Sequence, residues 1–182
     1  NRTEMELEYY ASLDNALDNL SSLDDLLEIE EEMTEAGLLK AHKRTKQPPT
    51  SRVKNKPSLF KSVEGWEILV GRNNKQNDRL TMKTANPHDL WLHTQKIPGS
   101  HVIIRTQGEP VPPAVLLEAA NLAVYFSKAR GSSKVPVDYT EKRHLRKPNG
   151  APPGFVVYTN YQTLIIDPDP QILERHNLNP AL

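Results

Sequence analysis

An α+β fold, a mostly antiparallel sheet with a few helices preceded by a long acidic helix, follows from three features of the 182-residue sequence. Residues 1–36 space apolar residues at helical intervals among acids, with neither Pro nor Gly to interrupt them. From Trp66 to Asp167, short apolar runs recur between turn residues, the mark of strands. One apolar segment opened by Pro112 and Pro113 is long enough for a helix. Strands that do not alternate strictly with helices favour antiparallel neighbours.

In the acidic segment Leu13, Leu17, Leu20 and Leu27 form a narrow stripe, with Met5 and Met33 beside it. One helix over 1–36 is a rod of roughly 50 Å. A small domain cannot bury so long a stripe, so the expectation is a coiled-coil arm whose partner lies elsewhere in a longer chain or in another subunit. The competing reading folds the helix down onto the body. Residues 37–58 (GLLKAHKRTKQPPTSRVKNKPS) carry Pro48, Pro49 and Pro57 and no apolar period after Leu39, which makes them a basic linker. Residues 59–182 then form one domain. WEILV at 66–70 is a strand ending at Gly71, and GRNNKQND is a polar loop running into a short helix near Arg79–Ala85. DLWLH at 89–93 and HVIIRT at 101–106 are strands joined by TQKIPGS. The helix from Pro112 finishes at Gly131, and FVVY at 155–158 pairs with TLIID at 163–167 as a hairpin.

The absence of cysteine excludes a disulfide scaffold, a cysteine nucleophile and a thiolate metal site. No apolar run reaches the length of a membrane span, and NRTEMELEYY lacks a signal pattern, so a cytoplasmic protein with no membrane contact is expected. The net charge of zero conceals a division. Residues 1–36 hold 12 acids and one base, and the rest of the chain holds 22 bases and 11 acids. A basic region of this kind favours a polyanion such as nucleic acid.

Three places carry chemistry. If TQKIPGS closes a symmetric hairpin, His93 faces His101, Trp91 faces Ile103 and Asp89 faces Arg105, while Leu92 and Leu90 meet Val102 and Ile104 on the other side. Two imidazoles and a carboxylate allow a hydrolase or nuclease built on Asp89, His93 and His101, with or without metal. The same residues also suit RNA contact through the rings, or simple support of the turn. No HExxH, Gly-rich phosphate loop or Gly-x-Ser-x-Gly elbow accompanies them. The second place is Gly71–Asp78, where Arg72, Asn73, Asn74, Lys75 and Asn77 offer donors for phosphate, sugar and base edges, and equally for turns. The third is 132–154, where Lys142, Arg143, Arg146 and Lys147 stand near Tyr139 and His144.

Taken together, GWEILVGRNNKQNDRLTMKTANPHDLWLHTQKIPGSHVIIRT and VPVDYTEKRHLRKPNGAPPGFVVYTNYQTLIIDP resemble the two halves of an NFACT-R domain, over roughly 63–170. That domain belongs to the RqcH-like ribosome-associated quality-control factors, often labelled fibronectin-binding in bacteria. The resemblance implies an RNA-binding module, with 1–36 as the end of a returning coiled-coil arm whose other arm is the missing partner. It also implies a large ribosomal subunit obstructed by peptidyl-tRNA and charged tRNA as partners, and support for untemplated C-terminal alanine tailing. The ribosome makes the peptide bond in that picture, so neither an enzyme nor a cofactor is expected. Gly71, Arg72, Asn73, Asn74, Asn77, Asp78, Asp89, Trp91, His93, Pro98, Gly99, Ser100 and His101 match the opening motif, and Lys147 and Gly154 the closing one. The RNA contacts expected are Arg72, Asn73, Asn74, Lys75, Asn77, His93, His101, Lys142, Arg143 and Lys147. A protein-binding role, as the fibronectin label has it, ranks last.

Overall fold

In the computed structural model, which describes residues 2–41 and 55–179, the acidic segment is two helices rather than one rod: α1 (Arg2–Asp18) and α2 (Leu23–Glu35). The break has a local cause. Ser22 caps α2 by accepting from the Asp25 N–H, and Ser21 donates through its own N–H and hydroxyl to Asp25. Such side-chain bonds offer the backbone an alternative to a continuous helix. The amides of Asn15 and Asn19 donate to the Phe126 carbonyl in the body of the domain, which ties the end of α1 down. The pair therefore folds onto the domain instead of projecting as a coiled-coil arm. The expected stripe is correspondingly incomplete: Leu13 is buried, but Leu17 and Leu20 are exposed. On α2 the buried face reads Asp25, Ile29, Glu32. Of the basic linker expected at 37–58, residues 42–54 lie outside the described residues, and Ser58 already opens the first strand.

The remainder is α+β. The strands are β1 (Ser58–Lys61), β2 (Glu67–Val70), β3 (Leu90–Thr94), β4 (Val102–Ile104), β5 (Val135–Glu141), β6 (Leu145–Arg146), β7 (Val157–Tyr158) and β8 (Gln162–Ile166). Six of them form one antiparallel sheet in the order β1-β2-β4-β3-β5-β8, and β6-β7 form a separate ribbon. The helices of this part are α3 (Asn74–Arg79), α4 (Pro113–Tyr125) and α5 (Pro170–Arg175), with a π-helical turn at Leu80–Thr84. The expected polar loop at 71–78 is thus helical from Asn74, because Asn73 caps it by accepting from the Gln76 N–H.

The β3–β4 register is the one the sequence implies: Leu90 opposite Ile104, Trp91 opposite Ile103, Leu92 opposite Val102. One sheet face, with Leu92, Val102 and Ile104, packs on Val115, Ala119 and Leu122 of α4. The other face holds Trp91 and Ile103 under Leu80, Leu145, Val156 and Tyr158. The hairpin expected between 155–158 and 163–167 does not form. β7 pairs with β6, and β8 pairs with β5, a strand hidden within the basic stretch 132–154. Asp138 on β5 takes the side-chain donors of both, accepting from Tyr158 on β7 at 2.7 Å and Thr163 on β8 at 2.6 Å, so each is tied to β5 and not to the other.

Candidate nucleic-acid interface

The segment after β2 is shaped by a close approach. A Cβ on Gly71 would lie 2.1 Å from Asn77 Oδ1 and 2.9 Å from its backbone N, so only glycine fits. The Asn77 carbonyl oxygen there accepts from the His101 N–H at 3.1 Å, which joins α3 to the start of β4.

The donors on the far side of this segment meet carboxylates of the acidic helices. Arg72 donates from Nε and Nη2 to the two oxygens of Asp25 at 2.9 and 2.8 Å, and from Nη1 to Ser58 at 2.7 Å. Asn73 donates to Glu28 at 2.9 Å, and Asn74 to Ser12 and Glu32 at 2.8 and 3.0 Å. Lys75 lies 3.0 Å from both Glu31 and Glu35, and Arg79 lies 2.6 Å from Glu28. Burial alone pushes the Asp25 carboxyl up, yet the hydrogen bonds from Arg72 and Ser21 outweigh it and hold that carboxyl well below its usual range. Burial raises Glu32, which Asn74 only partly offsets. In this structure Arg72, Asn73, Asn74 and Lys75 hold α1 and α2 in place with donors occupied by the chain itself, and Asn77 holds the start of β4 through its accepting side-chain oxygen.

His93 and His101 do come together. Their rings sit 5.6 Å apart at 87°, and both touch Trp91, which stacks on His93 at 7° and meets His101 edge-on. His93 Nε2 donates to the Gly99 carbonyl at 3.2 Å, and His101 Nδ1 shares a 2.7 Å hydrogen bond with the Thr81 hydroxyl. Burial holds both imidazoles below their ordinary pKa, so both are neutral near pH 7. Asp89 does not join them. Its oxygens accept from the N–H groups of Asn86 and Thr106 and from Arg105. Among the described residues no three His, Asp or Glu side chains are grouped to hold a metal ion. The hydrolase reading therefore lacks its carboxylate.

Above the Trp91 face lies a cleft of about 490 Å³ roofed by α1. Phe155, Val156 and Tyr158 form one wall, Ile97 and Pro98 another, and Met5 and Tyr9 the roof. Sequence reasoning found Trp91 and the histidines but missed these walls. The roof's distant origin in the acidic segment left no local signal.

The basic turn at 142–147 is different again. Arg143 and Arg146 are exposed and Lys142 is half-exposed, and the Lys142 ammonium meets no described partner. Arg143 pairs with Glu141 at 2.7 Å, and Lys147 donates to Asp78 at 2.6 Å. Asp78 also accepts from the Gly154 N–H, so Lys147 anchors the 148–154 loop.

A donor-rich α+β domain with an open basic turn is what an RNA-binding module requires. Residues 56–160 match the family described as the NFACT protein RNA binding domain, and the chain belongs to that family. Over 167 residues it is 46% identical to the Rqc2 homolog RqcH of Bacillus subtilis, an alignment covering 90% of this chain and 28% of the relative. It is 32% identical over 71 residues to the human ribosome quality control complex subunit NEMF, covering 38% of this chain and 7% of that protein. The solved C-terminal part of the fibronectin/fibrinogen-binding protein from Streptococcus suis superposes with a TM-score of 0.84 at 41% identity, over 96% of this chain and 68% of that one. The chain spans less than a third of the length of the bacterial relative named above. No helix among the described residues is long and apolar enough to cross a membrane.

Proposed function

We propose that this chain is the RNA-contacting module of a cytoplasmic ribosome quality-control factor, reading structured RNA, tRNA foremost, on an obstructed large ribosomal subunit. The observation that carries the reading is the open basic turn at Lys142, Arg143 and Arg146 on a domain of an RNA-binding family. The name of the human relative, NEMF, is that of a ribosome quality control complex subunit. In a whole factor of this kind the module would hold tRNA while the ribosome extends the stalled chain, alanine being the residue that the family resemblance implies. The module would position RNA and carry out no chemistry of its own. Further helices of a coiled-coil arm would join it to the rest of the factor.

The test is binding of the 182-residue chain to labelled tRNA across a salt series, with duplex DNA as control. Micromolar or tighter tRNA binding, preferred over DNA, is expected. Replacing Lys142, Arg143 and Arg146 with Ala should lower the salt slope by about two to three units. Equal affinity for the two polymers, or an unchanged slope, overturns the reading. The streptococcal neighbour's description raises a second reading, a fibronectin-binding surface, and immobilised fibronectin in the same series separates the two.

A further inference from the structure

We propose that the cleft between α1 and the Trp91 face of the sheet receives a single unstacked RNA base. The proposal rests on the RNA-binding reading above and adds to it a place and a ligand. The floor and one wall come from inside the matched segment 56–160, through Trp91, His101, Phe155 and Tyr158. The roof comes from α1, which lies outside it.

A cavity of about 490 Å³ falls in the range of ordinary small-ligand sites, about 300–1,000 Å³. An unstacked base is flat, apolar on its faces and polar at its edge, and the cleft has the complementary character. Tyr158 tilts against Trp91 at 52° with centroids 4.7 Å apart, so Tyr158 and the neighbouring Phe155 present aromatic surface to the space and the indole lies behind them. Base stacking on aromatic side chains tolerates any sequence because every base has a π-face.

Trp91 is 1% exposed and packs against both His93 and Tyr158, so the aromatic surface a base meets belongs to Phe155 and Tyr158. The imidazoles are neutral, so the interior attracts no phosphate. At the mouth Arg2 pairs with Glu6 in solvent and Glu8 stands beside them, while Lys96 on the 94–100 loop is exposed and borders the cleft. A base therefore enters while its phosphates remain outside near Lys96. An aromatic peptide side chain would fill the volume too. A base is favoured because the floor lies within the RNA-binding segment.

The experiment uses the whole chain carrying Trp66→Phe, which leaves Trp91 as its sole tryptophan. The probes are a fluorophore-labelled 12-nucleotide RNA of mixed sequence, the same length of abasic strand, and a Phe-Pro-rich peptide. Trp91 emission should fall at least twofold with the RNA, half-saturating where the anisotropy does. The abasic strand should raise anisotropy without quenching. Phe155→Ala should weaken the RNA complex by about tenfold and leave the abasic strand unaffected. Phe155 stands outside both core clusters of the sheet, so the fold should persist, which a thermal scan checks. Met5→Trp, made at an exposed position in the roof, should block the cleft and reproduce the loss. Equal binding of both strands without quenching overturns the base receptor while RNA binding stands. Binding of neither strand overturns both readings. Quenching by the peptide and not by RNA assigns the cleft to polypeptide and overturns the proposal.

Discussion

Residues 71–79 and 142–147 are both dense in cations, yet the first segment is walled in by the carboxylates of α1 and α2. In the second, Lys142 and Arg146 face solvent unpaired among the described residues, Arg143 meets only the neighbouring Glu141, and Lys147 alone is drawn inward, to Asp78. Composition alone does not separate them. What separates them is the spacing of Asp25, Glu28 and Glu32, which puts three acids on one helical face with Ile29 between them. That face meets Arg72, Gln76, Asn73 and Asn74 donor for acceptor. A cation within reach of a fixed carboxylate becomes part of the fold, and a cation without one is available to a phosphate.

The contrast breaks most visibly at Arg72. Asp25 is 1% exposed, so Arg72→Ala leaves a buried carboxylate without its bidentate partner. Loss of one partner from such a pair costs about 3–5 kcal/mol, to be read from urea unfolding, with part of it recovered in the Arg72→Ala/Asp25→Ala double variant. The triple alanine variant of the open turn should change stability by less than about 0.5 kcal/mol while it lowers the salt slope of RNA binding.

Acid probes the covered face from beneath, through His101, whose N–H is held by Asn77. Its folded pKa is depressed by burial, so as pH falls below about 6.5 the unfolded chain takes up the proton first. The contribution is complete above that pH and declines below it, by about 1 kcal/mol between pH 7 and 5.5. His101→Asn should lessen the slope of that part of a stability–pH profile, the remainder belonging to His93, which burial also holds below its ordinary pKa. Within the covered face the smallest effect belongs to Lys75. Its partners Glu31 and Glu35 are more than half exposed, so Lys75→Ala should cost about 0.5 kcal/mol, and less in high salt.

Much of the fold was legible where one local pattern constrained both partners. The β3–β4 register followed because a single alignment satisfied Leu92 with Val102, Leu90 with Ile104 and Asp89 with Arg105. The helix opened by Pro113 followed from its first turn and its apolar face. β5 was not legible, because Pro136 and the cations beyond Glu141 disguise its alternation. β7 and β8 read as one hairpin because their true partners, β6 and β5, lie earlier in a stretch that reads as basic loop. At the candidate site, the grouping of Trp91, His93 and His101 was visible in the strand alternation. The acids that occupy Arg72, Asn73, Asn74 and Lys75 were visible only as charge, since acids on a helix are ordinarily read as its solvated side.

The Arg72–Asp25 pair joins residues 47 apart. A chain growing from its N-terminus presents α1 and α2 long before α3 exists to receive them, and the sheet beneath α3 waits for β8. The surface that receives them is assembled only when Gly71 lets α3 close on Asn77 and Asn77 takes the His101 N–H at the start of β4. Docking of the acidic helices is then a late event in folding, and their release an early event in unfolding. Contacts absent from the transition state act on the unfolding rate. The pair accordingly governs how long the folded molecule persists and leaves the speed at which it forms to the sheet.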